Sequence, residues 1–305
     1  MKKTIIYALL IACVISTSGC GRSQTIAEQS SQQISNIENA TVSFLGPEGT
    51  YTQEACGVFF DKKGIYIPYE TVGDAVDALE KGTTDYAVIP QENTIGGAVT
   101  DYVDIVISES HLSVIGEVEL PINQNLLVMP GASLGDIKTV YSHKQGIAQG
   151  KDWLDKNIPD AEIIEVSSTA EGAKMVSEGK DSSCAAIASA ACADVYSLEL
   201  LATGIQENSS NKTRFYVLST EEPITADSDR IAFIASGSAE GLTALMSDMD
   251  TLKIKLVAIH DRPMKTDLGN YHYIIECSDT SYQEYEKLAA KSRMDLRFLG
   301  CFNVF

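Results

Sequence analysis

The chain has 305 residues, with 23 basic and 42 acidic side chains and a formal net charge of -19. That length suits about two domains and a core that needs no disulfide staples. The acidic excess repels nucleic acid and anionic membrane surfaces, so no nucleic-acid partner is expected, and an anionic small molecule must meet a local positive spot.

Lys2 and Lys3 open the chain, and residues 5–15 form an apolar run too short to span a bilayer but suited to a signal peptide. Ser16-Thr17-Ser18-Gly19 then precede Cys20. Small residues before a Cys resemble a bacterial lipobox, in which the Cys is acylated. Thr17 departs from that pattern, which prefers an aliphatic residue there. The expectation is a signal peptide over 1–19, then a lipidated Cys20 and flexible tether over 20–40 that hold the exported protein on the outer face of the membrane. A plain secretory signal and an uncleaved anchor are the alternatives. With Cys13 in the expected signal peptide and Cys20 lipidated, the remaining cysteines, Cys56, Cys184, Cys192, Cys277 and Cys301, are odd in number and lack CxxC spacing. They suggest neither a disulfide framework nor a metal site.

From residue 41 short β-rich runs alternate with helical stretches. Strands are predicted over 42–45, 86–89 and 112–115, with helices over 51–60, 70–82 and 102–107. Strands over 139–142, 162–166 and 185–188 then alternate with helices over 146–154, 170–179 and 190–196. Residues 71–89 and 169–188 echo each other: Thr, an Ala-bearing helix, Gly, then a short buried strand. The reading is α/β, with two similar lobes and a cleft between them. The loops predicted to face the cleft hold Gly49-Thr50, Glu92-Asn93-Thr94, Ser142-His143 and Ser168-Thr169. Helix N-termini there would offer N–H groups to an anion, although plain N-capping explains any single one. After a polar linker with Pro223, residues 230–302 read strand, helix, strand, strand, helix, strand. That βαββαβ order is ferredoxin-like and places a boundary near 219–229.

Several of these loops carry recognisable motifs. Gly46-Pro-Glu-Gly-Thr-Tyr-Thr-Gln-Glu-Ala55 resembles the opening motif of prephenate dehydratases, Gly-Pro-x-Gly-Thr-Phe-Ser-x-x-Ala. Pro90-Gln-Glu-Asn-Thr-Ile-Gly96, which runs on into Gly97, is similar to their Glu-Asn-Ser-x-x-Gly. Ser142-His-Lys-Gln-Gly-Ile-Ala-Gln149 is similar to Ser-His-Pro-Gln-Ala-x-Ala-Gln, Ser168-Thr-Ala170 matches, and Asn211-Lys-Thr-Arg-Phe215 carries Asn-x-Thr-Arg-Phe intact. The C-terminal piece resembles the ACT regulatory domain of these enzymes. The resemblance implies a two-lobed, periplasmic-binding-protein-like dehydratase domain over 41–221 and an ACT domain over 229–305. It also implies a homodimer and one reaction, the loss of water and carbon dioxide from prephenate to give phenylpyruvate. No cofactor is needed for that reaction. In the family the segments corresponding to Glu240-Gly241-Leu242 and His260-Asp261-Arg262-Pro263 form a phenylalanine site. Gly241, Leu242, Asp261, Arg262 and Pro263 are therefore the effector candidates, although both segments depart from the family's Gly-Ala-Leu and Glu-Ser-Arg-Pro.

On this reading Arg214 is the candidate clamp for a substrate carboxylate, with a structural ion pair as the alternative. Thr213 is the candidate donor to the departing hydroxyl, or else a backbone cap. Glu92 would orient Arg214 or serve as an acid. Gly49, Thr50, Thr52, Asn93, Thr94, Ser142, His143, Gln145 and Phe215 are the expected substrate-binding positions. His143 could be an acid or merely structural. The rival reading is an exported, lipid-anchored binder of aromatic acids, for which the two-lobed layout also serves. Arogenate, with an amine in place of the keto group, is a third reading.

Overall fold

The computed structural model describes residues 39–109 and 111–305. The expected signal peptide, Cys20 and nearly all of the tether lie outside the described residues. The described residues fall in one compact unit, Asn36–Phe305.

The first lobe runs β1 (Thr41–Leu45), α1 (Tyr51–Phe59), β2 (Ile65–Tyr69), α2 (Val72–Glu80), β3 (Tyr86–Asn93), β4 (Gly97–Ala98), α3 (Thr100–Ser108) and β5 (Ser113–Pro121). The second lobe runs β6 (Asn125–Val128), β7 (Thr139–Ser142), α4 (Lys144–Gln149), α5 (Lys151–Asn157), β8 (Glu162–Glu165), α6 (Thr169–Gly179), β9 (Cys184–Ala188), α7 (Ala191–Tyr196) and β10 (Glu199–Ala202). The chain then returns to the first lobe as β11 (Lys212–Ser219). It closes with β12 (Arg230–Ser238), α8 (Ala239–Leu252), β13 (Lys255–Pro263), β14 (Asn270–Ser278), α9 (Tyr282–Lys291) and β15 (Asp295–Val304), the βαββαβ order expected from the sequence.

Among the described residues the strands form two sheets. One has the order β13-β14-β12-β15-β5-β11-β3-β1-β2, with β4 attached to β3. The other, in the second lobe, has the order β10-β6-β9-β7-β8. The C-terminal strands thus continue the first lobe's sheet: β15 adds in parallel to β5, pairing Asn303 with Gly116 and Val304 with Glu117. One buried cluster crosses that seam, joining Tyr102, Val106 and Tyr216 to Ile234, Ile274, Leu299 and Phe302. The second lobe packs both faces of its own sheet, Leu126, Val140 and Ile187 on one side and Leu127, Ala186 and Cys192 on the other. Burial of both faces is what strands covered by helices on two sides require.

Hydroxyl side chains start the helices where the motifs lie. Thr50 caps α1, Thr71 caps α2 and Ser168 caps α6, each accepting from a backbone N–H three residues on. The two echoing segments become α2 leading to β3 and α6 leading to β9, one in each lobe. Elsewhere the structure corrects the reading. The single helix expected over 146–154 is two, divided at Gly150. β2, β6, β10 and β11 were not anticipated as strands. β2 carries Pro68, which fits because β2 is the edge of its sheet and owes no second neighbour an N–H. Cys56, Cys192, Cys277 and Cys301 are buried free thiols, and Cys184 is half-buried.

Candidate active site

Between the two sheets lies a cavity of about 470 Å³, ample for a small aromatic acid. The first lobe supplies Thr50, Tyr51, Thr52, Pro90, Asn93 and Thr100, and β11 supplies Thr213 and Phe215. The second lobe supplies His143, Gln145, Gln149, Ser168 and Thr169, while Ile122, Gln124 and Asn211 sit on the two segments that connect the lobes. No Lys or Arg lines it, and the one acidic residue in the lining is Asp101. The positive potential for an anion must come from backbone N–H groups at the starts of α1 and α6 and from neutral donors.

The centre of the site is an amide and hydroxyl cluster. Asn93 Oδ1 accepts from the N–H groups of Ile95 and Gly96, at 3.0 and 2.9 Å. That fixes the amide so that Nδ2 points the other way, where it donates to Thr213 Oγ1 at 2.9 Å and to Asn211 Oδ1 at 2.8 Å. Asn211 Oδ1 also accepts from Thr94 Oγ1 at 3.1 Å. With its oxygen doubly engaged, Asn211 keeps Nδ2 as a buried donor without a protein partner. Gln124, 2% exposed, likewise keeps a free Oε1, its Nε2 being spent on Gln149. His143 Nδ1 accepts from the Gln145 N–H at 3.3 Å, which leaves Nε2 to carry the ring proton. Burial pushes the Tyr51 hydroxyl well above the ordinary phenol range, and it donates to Asn123 O at 2.6 Å. A Cβ on Gly96 would fall 2.6 Å from Gln145 Nε2, so a larger residue there would push the Gln145 side chain aside.

Five expected site residues lie elsewhere. Arg214 is not a clamp in the cavity. Strand alternation puts it on the opposite face of β11 from Thr213 and Phe215. There its guanidinium meets Glu117 at 2.7 and 2.9 Å, Glu92 at 3.3 Å, and Glu276 of β14. Burial works against that charge, but Glu276 and Glu117 outweigh it and hold the Arg214 pKa above its ordinary value. Glu92 follows Arg214 because β3 carries a bulge: Arg214 pairs with Glu92 but Phe215 pairs with Pro90, leaving Gln91 extra. The bulge turns Gln91 and Glu92 away while Pro90 and Asn93 both face the cavity. Gly49, at φ +82, is a tie between the lobes; its carbonyl accepts from Ser189 Oγ at 2.8 Å and Cys192 Sγ at 3.2 Å. Thr94 acts by holding Asn211. Ser142 is buried and donates to Ile187 O at 2.7 Å. Sequence reasoning missed Asn211 and Gln124 as site residues, although Asn211 opens the Asn-x-Thr-Arg-Phe motif.

Of the effector candidates, Gly241 and Leu242 lie in the first turn of α8, and Asp261, Arg262 and Pro263 end β13. Arg262 reaches the start of α3, donating to Asp104 Oδ1 at 2.6 Å and Thr100 O at 3.1 Å.

A family model for prephenate dehydratase matches residues 42–223. The prephenate dehydratase of Bacillus subtilis is 31% identical over 285 residues, which cover 87% of this chain and 99% of that protein. A bifunctional chorismate mutase/prephenate dehydratase of Neisseria gonorrhoeae is 35% identical over 238 residues; the match covers 77% of this chain and 66% of that longer protein. Among solved structures, the prephenate dehydratase of Arthrobacter aurescens in complex with L-Phe superposes with a TM-score of 0.77 at 28% identity, covering 86% of this chain and 89% of that one. The match takes in both lobes and the strand that carries Thr213, and on that ground this chain belongs to the prephenate dehydratase family.

Proposed function

We propose that the chain catalyses the decarboxylating dehydration of prephenate to phenylpyruvate in the cleft between its lobes. One observation carries the reading: Thr213 Oγ1 already accepts from Asn93 Nδ2, so its own proton is free to point into the cavity. As the ring C–O bond breaks, Thr213 donates to the departing oxygen where charge develops. The electron pair of the bond to the ring carboxylate moves into the ring, which becomes aromatic, and carbon dioxide leaves. The hydroxide departs as water with a proton from solvent. Asn211 Nδ2 and the N–H groups at the starts of α1 and α6 receive the carboxylates. The rest is orientation of the breaking bonds in a shaped cleft. Formation of phenylpyruvate from prephenate by the purified protein tests this. Saturable aromatic-acid binding with no turnover would instead identify a binding protein, and turnover of arogenate alone would change the substrate.

The finer parts of the proposal concern address and regulation. Cys20 is acylated after export and the tether over 20–40 holds the enzyme on the outer face of the membrane; incorporation of a labelled fatty acid, lost in Cys20→Ala, checks it. The C-terminal βαββαβ piece serves as an ACT domain. Support comes from its strand order and from the L-Phe held by the Arthrobacter relative. A dimer would form through the edge strand β13, which exposes Leu256, Val257 and Ile259. Phenylalanine titrated against activity and against sedimentation measures both.

A further inference from the structure

β11 shows its two faces to two parts of the molecule. Thr213 and Phe215 face the cavity. Arg214 and Tyr216 face the C-terminal strands, and both end on one side chain, Glu276 of β14, which is 1% exposed. Glu276 Oε2 accepts from Arg214 Nη2, while Oε1 accepts from the Tyr216 hydroxyl and from Gln91 Nε2. Gln91 is the bulge residue of β3, two positions before Asn93. A single carboxylate therefore grips the backs of the two strands whose fronts carry Asn93 and Thr213.

Charge balance does not explain Glu276. Arg214 already has Glu117 and Glu92 as carboxylate partners, so a third adds negative charge to a buried site. Burying a carboxylate costs more than burying an apolar side chain of the same size. Its geometric effect is specific, however: three donors from β3 and β11 converge on two oxygens. Resting on the cleft's role as the site of prephenate dehydration, we propose that Glu276 is a positioning residue for the reaction. From the C-terminal sheet it sets the spacing of β3 and β11, and so the contact between Asn93 and Thr213.

Steady-state kinetics of the full chain test this with Glu276→Gln, Tyr216→Phe and the double variant. A glutamine offers one acceptor oxygen to three donors and turns its own NH₂ on one of them, so the strands must shift. Glu276→Gln is expected to lower kcat about 10- to 100-fold with KM nearly unchanged, because it displaces Thr213 without touching substrate. Tyr216→Phe removes one donor and lowers kcat by a smaller factor. The double variant is no worse than Glu276→Gln, because the surplus donor is gone. If the wild type turns over prephenate and Glu276→Gln loses only thermal stability at unchanged kcat, Glu276 is structural and the proposal falls. Should Glu276→Gln not fold, Tyr216→Phe decides, and an unchanged kcat there overturns the proposal. A wild type without turnover defeats the reading of the cleft itself, and the positioning role with it.

Discussion

Asn93 Nδ2 lies 2.9 Å from Thr213 Oγ1, and the two N–H groups held by Asn93 Oδ1 leave this amide no other orientation. The hydroxyl of Thr213 is thereby an acceptor toward the protein and a donor toward the cavity. Thr213→Ala should lower kcat by about 10²–10³-fold, the usual loss when one donor to developing charge is removed. KM should change little. Thr213→Ser keeps the hydroxyl and should retain most of the activity, so a kcat and KM comparison of the two variants checks the assignment.

Asn211 gives a second test. Asn211→Asp keeps the oxygen that Asn93 and Thr94 use, but replaces the free Nδ2 donor with an acceptor and adds charge to a cavity meant for a dianion. KM for prephenate should rise about tenfold or more, since a charged hydrogen bond is worth roughly 1.5–3 kcal/mol and repulsion adds to its loss. Binding of phenylpyruvate, measured by calorimetry, should weaken in parallel.

Stability should depend on pH through Glu117. Burial pushes its carboxyl up to about 7 from an ordinary value of 4.5; the nearby charge of Glu276 adds to the rise and Arg214 opposes it. The folded protein holds this proton more tightly than the unfolded chain does. The stabilisation is therefore fully present below about 4.5 and is lost as pH rises through about 7. Denaturant melts should show the wild type losing on the order of 1–3 kcal/mol across that window. In Glu117→Gln that dependence should flatten.

At the seam where β15 joins β5, Gly116 leaves room for the ring of Phe59; a Cβ there would stand 2.9 Å from Cδ2 and Cζ. Gly116→Ala should cost about 1–3 kcal/mol through overpacking. A lowered melting temperature with unchanged KM is the expected result.

The alternation of strands and helices was legible, because apolar period and cap residues are local signals. So was the cluster of Thr50, Asn93, His143, Thr213 and Phe215, through motifs in loops that the fold turns toward one cleft. The role of Arg214 was misread, although the information was present: residues 215–218 are a buried apolar run, and reading 212–219 as a strand puts Arg214 on the face opposite Thr213. Glu92 was not recoverable in that way. Its direction depends on the bulge at Gln91, which exists only once β3 pairs with β11. Glu276, 185 residues from Gln91, carries no local signal of its partners.

The most direct measurement is the rate at which purified wild-type protein and Thr213→Ala, matched for folded fraction, form phenylpyruvate from prephenate. Turnover by the wild type and its collapse in Thr213→Ala is the predicted result. No turnover by a folded wild type, or equal turnover by both proteins, would contradict the account.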